Sequence, residues 1–405
     1  MVERCIIVGM SHAGIHVATA LRQQGWVGEI IMVGDEETLP YHHPPLSKSL
    51  LDEDFTATLI YPEDSFKALD IKYRLSTRVE KIFRSEKFVV LQDGERLHYD
   101  KLVLCTGARA RPLNVKGAKQ TDIHYLRNLK DALRLRHQLK NSKKVLIIGA
   151  GFIGLEIAAS LKQYGIDVKV LEVNSNLLMR NLDSYMSHYF KQLHLKNGVE
   201  IITNMHISHI EDKGTSKQVI CIDGTIFEVD TIIVGIGVIP NIELAQSAGL
   251  ATHRGIFVDE CGCTTDPNIY AAGDCTVFTS TYTSALLRLE CLSHAVDQAK
   301  VVAENICGYK SFDQNIPWFW SEQYDHRLQI VGLLPESYQV IERHYADNGG
   351  FSRLYFEGQT LKMCVAVNAA KDFIASKQII SQGLQLDLAQ VADLLPLKEC
   401  LCAVV

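Results

Sequence analysis

At 405 residues the chain is long enough for two or three domains, each with its own core. With 47% hydrophobic and 22% charged residues it has the composition of a soluble globular protein, and a net charge of −6 argues against nucleic-acid binding, which needs a strong basic field. No uninterrupted apolar run approaches the roughly 18 residues of a membrane helix, and the eleven cysteines, without a C-x-x-C, point to reduced thiols in a cytoplasmic protein.

The N-terminal residues 4–36 read as strand, turn, helix and strand. The first strand, 5–8, begins almost at once and leaves no room for a signal peptide ahead of it. The turn is Gly9-x-Ser11-x-x-Gly14, in which a small serine still permits close backbone approach and its hydroxyl can bond a phosphate. A helix is expected from about 13 to 23 and a strand at 29–33, followed by Asp35 and Glu36, where a ribose-binding carboxylate is needed. Next comes Pro44-Pro45-Leu46-Ser47-Lys48. The serine can cap a helix starting near Lys48, although a lysine there would oppose the helix dipole and so has another purpose. Strands are expected at 71–74, 88–91 and 98–105, with a hairpin turn at Asp93-Gly94, and then a small-residue turn at Thr106-Gly107-Ala108. Arg127 and a helix at 129–139 lead to the next glycine-rich turn.

Residues 145–173 repeat the opening pattern more completely. An apolar strand at 145–148 runs into Gly149-x-Gly151-x-x-Gly154, helix formers follow from 155 to 163, and a second strand at 168–171 ends on Glu172, 18 residues past Gly154. A lone G-x-G-x-x-G says little, but strand, turn, helix, strand and terminal carboxylate in this order mark a dinucleotide site. The helix N-terminus faces the phosphates with its partial positive charge. Two such units in one chain suggest two dinucleotides. Farther on, a helix is expected over 182–195 and strands at 199–203, 218–221, 226–229 and 231–237, the last ending in Gly235-x-Gly237 before Pro240-Asn241. The segment 268–275 is a short strand ending in Gly273-Asp274, suited either to place a carboxylate on a polyol hydroxyl or to cap a helix.

From Pro317 the character changes. Trp318, Trp320 and Tyr324 cluster, strands at 327–333, 337–343, 351–357 and 360–367 read as an antiparallel sheet with turns at Asn348-Gly349-Gly350 and Glu357-Gly358, and helices follow at 371–381 and 386–394. Cys261-Gly-Cys263 and Cys400-Leu-Cys402 lack the second ligand pair of a zinc site, so no metal is expected. The tail 402–405 fits the C-a-a-X pattern only formally, without a polybasic stretch ahead of it.

Taken together, VGMSHAG at 8–14, PPLSK at 44–48, CTGARARP at 105–112, IGAGFIGLE at 148–156, GIGVIPN at 235–241, YAAGDC at 270–275 and PWFWSEQYD at 317–325 resemble the pyridine nucleotide–disulfide oxidoreductase superfamily in its ferredoxin reductase branch. The resemblance covers nearly the whole chain. It implies an α/β fold with two interleaved Rossmann-like domains, an FAD-binding one in two parts (1–108 and 239–312) and an NAD-binding one (109–238), plus a C-terminal α+β domain (313–405). Gly9, Ser11 and Gly14 would hold the FAD pyrophosphate and Glu36 its adenosine ribose. Thr106 and Gly107 would line that cofactor, Asp274 would bond its ribityl chain, and Leu292 and Ser293 would approach the pyrimidine end of the flavin. Gly149, Gly151, Gly154 and Glu172 would hold NADH, with Arg127 and Gly237 also among the cofactor-binding residues. Lys48 would sit beside the isoalloxazine paired with Glu156, and Trp320 would reach the flavin, making these three the catalytic set.

The implied activity is electron transfer from NADH through FAD to a small ferredoxin- or rubredoxin-type iron–sulfur protein, by a monomer or homodimer. Glu172 is expected to repel a 2′-phosphate and so to select NADH, with Lys169 pointing elsewhere. A disulfide reductase would need a redox cysteine pair where this chain has PPLSKSLL. A reductase of a small acceptor such as quinone or oxygen, and an NADH-sensing flavoprotein like apoptosis-inducing factor, are the alternative readings.

Overall fold

The structure is a computed structural model that describes residues 3–52, 55–119, 121–178, 182–280, 282–283, 285–346 and 349–402. Asn348 of the expected turn and residues 403–405 of the tail lie outside the described residues. The chain divides into two compact units, the first built from Met1–His42, Ala57–Arg109 and Ile239–Phe319, the second from His43–Thr56, Ala110–Val238 and Trp320–Val405.

The first unit is organised on a parallel sheet in the order Ile269–Ala271, Lys101–Leu104, Arg4–Val8, Glu29–Val33, Ile71–Arg74. Its central strand is apolar and buried from Cys5 to Val8 because both faces are covered there. Cys5 and Ile7 join a core with helices His12–Gln23 and Leu292–Ile306, while Ile6 and Val8 join a second core with the antiparallel strands Val79–Phe83, Phe88–Leu91 and Arg96–His98. The segment expected as one strand at 98–105 is two strands in two sheets. The break falls at Asp100, whose carboxylate accepts the Arg4 N–H at 2.7 Å.

The second unit repeats the plan with the parallel order Glu200–Ile202, Asp167–Leu171, Lys144–Ile148, Thr231–Val234. One face is covered by the antiparallel strands Ile207–Asp212, Lys217–Cys221 and Ile226–Val229, with Leu146, Ile148, Leu171, Val219 and Phe227 in the shared core. The run expected as strand to 237 leaves the sheet at Val234. Beyond it, a five-stranded sheet runs Trp318–Gln323, His326–Gly332, Thr360–Val367, Phe351–Glu357, Gln339–His344, with helix Ala370–Gln382 packed on it. This is the expected fold class, parallel Rossmann-like sheets plus a C-terminal α+β part. Sequence periodicity missed Val79–Phe83, Ile207–Asp212 and Trp318–Gln323, the last because its tryptophans read as a cluster and not as an edge strand.

One local expectation is reversed. The helix around the Pro-Pro step spans Pro45–Lys48, so Lys48 is its last residue and not its first, and the predicted conflict with the helix dipole does not arise. Proline lacks the N–H that a first turn leaves unpaired, so the step starts the helix and leaves Ser47 inside it, bonded to Glu156 and not acting as a cap.

Candidate functional site

In the first unit the glycine turn joins strand Arg4–Val8 to helix His12–Gln23. Gly9 adopts φ +113°, and a Cβ there would lie 2.0 Å from the Cys105 carbonyl oxygen, so only glycine lets the turn pass beneath the strand end. Gly14 packs the helix back onto the turn, and Ser11 stands at the helix N-cap without making a side-chain cap bond. At the end of strand Glu29–Val33 the two acidic neighbours separate. Asp35 pairs at the surface with Arg78 at 2.9 Å, whereas Glu36 accepts the hydroxyl of buried Tyr41 at 2.7 Å.

Thr106 and Gly107 are held by Asn241. The Thr106 hydroxyl donates to the Asn241 carbonyl at 2.6 Å, the Asn241 side-chain amide donates to the Thr106 carbonyl at 2.8 Å, and the Asn241 N–H donates to the Gly107 carbonyl at 2.9 Å. Asp274 follows Gly273 in a turn that leads into strand Thr276–Thr279, not into a helix, which removes the capping reading. That turn is braced by Gln298, fully buried, whose side-chain oxygen accepts the Gly273 N–H at 2.8 Å and the Thr276 hydroxyl at 3.0 Å. Leu292 opens helix Leu292–Ile306, and buried Ser293 donates to the Trp318 carbonyl at 2.5 Å. Beside it, His294 stacks on Phe278, and burial lowers its pKa against the opposing pull of Asp313 and Asp274.

In the second unit Gly149 adopts φ +106° with the Gly235 carbonyl 2.4 Å from where a Cβ would be, and Gly154 packs against the Gly149 carbonyl. In front of Gly151, by contrast, the nearest atom to an added Cβ is 4.0 Å away, so the backbone of the turn stays open to a ligand at the uncapped N-terminus of helix Phe152–Gln163. Buried Glu172 reaches this turn: it accepts the Ala150 N–H at 2.8 Å on one oxygen, and the Asn174 N–H at 2.9 Å and side-chain amide at 2.7 Å on the other. Lys169 is occupied by Glu200, as expected of a side chain directed elsewhere. Arg127 precedes helix Leu129–Leu139, its N–H held by the Asp131 carboxylate at 3.0 Å, and the Gly237 carbonyl accepts the Arg111 N–H at 2.9 Å. These features fit two dinucleotides, one on each turn.

Lys48 and Glu156 come together. The Lys48 ammonium lies 2.9 Å from Oε2 of Glu156, which also accepts Ser47 at 2.5 Å, while Oε1 accepts Ser321 at 2.6 Å. Glu156 is 6% exposed and stands on the helix that begins at the second glycine turn, so the turn and the carboxylate of the ion pair are carried by one helix. Trp320 is half-buried in the strand that also carries Ser321. Sequence reasoning passed over Ser321, Gln298 and Tyr41. The available signal for Ser321 was the alternation of Ser321 and Gln323, two buried polar residues flanking exposed Glu322 after an aromatic run.

All eleven cysteines are unbridged. Burial pushes the Cys5 thiol up to about 12 and Cys263 up to about 11, and raises Cys105, Cys275 and Cys291, which disfavours their thiolate forms. Among the described residues no cluster could hold a metal ion, and no helix is long and apolar enough to cross a membrane.

Comparison with known proteins agrees with this arrangement. Residues 3–299 match the pyridine nucleotide-disulphide oxidoreductase family and residues 318–401 the reductase C-terminal family. The chain is 38% identical to the putidaredoxin reductase of Pseudomonas putida over 99% of its own length and 97% of the relative's. It superposes with a TM-score of 0.93 on a ferredoxin reductase from Rhodopseudomonas palustris, at 37% identity and covering 97% of this chain and 98% of that one. A TM-score of 0.93 is also found with the covalent putidaredoxin reductase–putidaredoxin complex, at 38% identity over 98% of both chains. The two glycine turns, the Lys48–Glu156 ion pair and these matches lead to one assignment: the chain belongs to the pyridine nucleotide-disulphide oxidoreductase family, in its ferredoxin reductase branch.

Proposed function

We propose that the protein is an FAD-dependent oxidoreductase that takes electrons from NADH and passes them to a small iron–sulfur protein of the ferredoxin or rubredoxin type. The observation that carries this reading is the pair of similar glycine turns, one in each unit, the second closed by Glu172. Residues 1–108 and 239–312 serve FAD, 109–238 serve NADH, and 313–405 form the C-terminal α+β domain. Relatives in the same branch are named for such carriers, and one has been captured in covalent complex with putidaredoxin.

Bound FAD supplies the redox chemistry, accepting a hydride and releasing single electrons. The protein's residues bind, orient and tune. The turn at Gly9, Ser11 and Gly14 receives one pyrophosphate against a helix N-terminus, and Glu36, oriented by Tyr41, takes a ribose hydroxyl. The turn at Gly149, Gly151 and Gly154 receives the nicotinamide nucleotide. Glu172 accepts a ribose hydroxyl there and repels a 2′-phosphate, which selects NADH over NADPH. Lys48 offers a positive charge to the reduced flavin, and Glu156 keeps that ammonium in place. Trp320 presents an aromatic face to the same cofactor. Eleven unbridged thiols suit the reducing cytoplasm as the site of action.

Anaerobic addition of NADH to the yellow holoprotein should bleach its flavin band, and reduction of cytochrome c should require an added ferredoxin. A protein without bound FAD, or a flavin that NADH leaves oxidised, would overturn the reading. Bleaching with cytochrome c or quinone reduction independent of ferredoxin would assign a small acceptor instead.

A further inference from the structure

Oε1 of Glu156 is the end of a buried chain of side chains in the second unit. Ser321 lies 2.6 Å from it, the Gln323 amide nitrogen 3.1 Å from the Ser321 hydroxyl, His194 Nε2 2.8 Å from the Gln323 oxygen, and the Tyr324 hydroxyl 3.0 Å from His194 Nδ1. Ser321, Gln323 and His194 are each at most 1% exposed, while Tyr324 is half-buried in the turn after strand Trp318–Gln323.

The directions of three of the four bonds in this chain follow from the pair at its end, and that of the last from burial of the His194 ring. A carboxylate bound to Lys48 only accepts, so the Ser321 hydrogen points at Glu156 and its oxygen accepts from Gln323. Gln323 therefore turns its NH₂ to Ser321 and its oxygen to His194, which must carry its proton on Nε2. Burial holds the His194 pKa down at about 4, so the ring is neutral, Nδ1 accepts, and Tyr324 donates. Four hydrogen bonds thus run one way, from Tyr324 to Glu156.

We propose that Ser321 is a positioning residue for the Lys48–Glu156 pair, held in register by the one-way chain from Tyr324 through His194 and Gln323. A strand that has no charge of its own in this chain thereby sets where the Glu156 carboxylate, and with it the Lys48 ammonium, stands. The effect on flavin rests on the functional reading above. Without the Ser321 donor, the charge on Glu156 is less compensated, screens Lys48 more strongly, and disfavours reduced flavin.

Potentiometric titration of the holoprotein tests this. Ser321→Ala should lower the ratio of reduced to oxidised flavin at fixed potential by about tenfold, which is about 30 mV for a two-electron couple. Ser321→Thr, which keeps the hydroxyl, should restore it, and in a Glu156→Gln background Ser321→Ala should add nothing. A Ser321→Ala protein that binds flavin but titrates within about twofold of wild type, or one that shifts equally in the Glu156→Gln background, would overturn the proposal. Independently of redox chemistry and of that variant's folding, the nitrogen spectrum of the His194 ring in the wild-type protein should report the Nε2–H tautomer, and an Nδ1–H ring would overturn the chain. A wild-type protein without flavin would instead overturn the functional reading together with its consequence for Lys48, an outcome distinct from either.

Discussion

Glu172 accepts the backbone N–H of Ala150 at 2.8 Å, tying the carboxylate at the end of one strand to the glycine turn at the end of its neighbour. Its other oxygen takes both nitrogens of Asn174. A carboxylate has about four acceptor positions, and with three filled one remains for a ribose hydroxyl.

Removing the charge should therefore alter both nucleotides in opposite senses. Glu172→Gln is expected to lower kcat/KM for NADH by about tenfold, the worth of a charged hydrogen bond, and to raise it for NADPH. Steady-state kinetics with each nucleotide checks this. An unchanged ratio of the two efficiencies would show that Glu172 braces the turn without selecting the nucleotide.

A second prediction concerns the C-terminal sheet. Asp372, on helix Ala370–Gln382, accepts Tyr345 and Ser352 at 2.5 Å each and lies 3.3 Å from Arg343, which is 1% exposed and donates to the Leu395 carbonyl at 2.8 Å. Asp372→Ala leaves a buried guanidinium without its counter-charge and should destabilise this part of the chain by about 3–5 kcal/mol, read as a fall in the urea midpoint. The double change Asp372→Leu with Arg343→Met should recover much of the loss, because the charges are then removed together.

His194 also makes a prediction about pH. Burial lowers its pKa from 6.5 to about 4, so the unfolded chain binds its proton first as pH falls. The folded state is then at no disadvantage above 6.5, loses stability as pH falls from about 6.5 to 4, and loses no more below, by about 3 kcal/mol in total. Burial lowers His16, His124 and His294 likewise, so the wild-type acid limb includes contributions from all four. Urea midpoints of wild type and His194→Gln between these pH values isolate one share: the variant is less stable throughout, and its slope should be shallower. Equal slopes would show that His194 is not neutral in the fold.

Much of this protein is written locally in its sequence. The turns at Gly9 and Gly149 were legible because their demand is local: a positive φ and a carbonyl within 2.0 and 2.4 Å of any Cβ exclude every residue but glycine. The strands beside them were legible because burial on both faces requires unbroken apolar runs. The Lys48–Glu156 pair was expected from resemblance alone, since 108 residues separate its members and nothing in either segment points to the other. Tertiary structure decided what depends on such distant partners. It sent Asp35 to Arg78 and Glu36 to Tyr41, made Lys48 the end of a helix and not its start, and split 98–105 between two sheets. It also lined up Ser321, Gln323 and His194 behind Glu156. A backbone conformation or an apolar face is a property of a few neighbouring residues, whereas the direction of a buried hydrogen bond is settled only when every donor and acceptor around it has been placed.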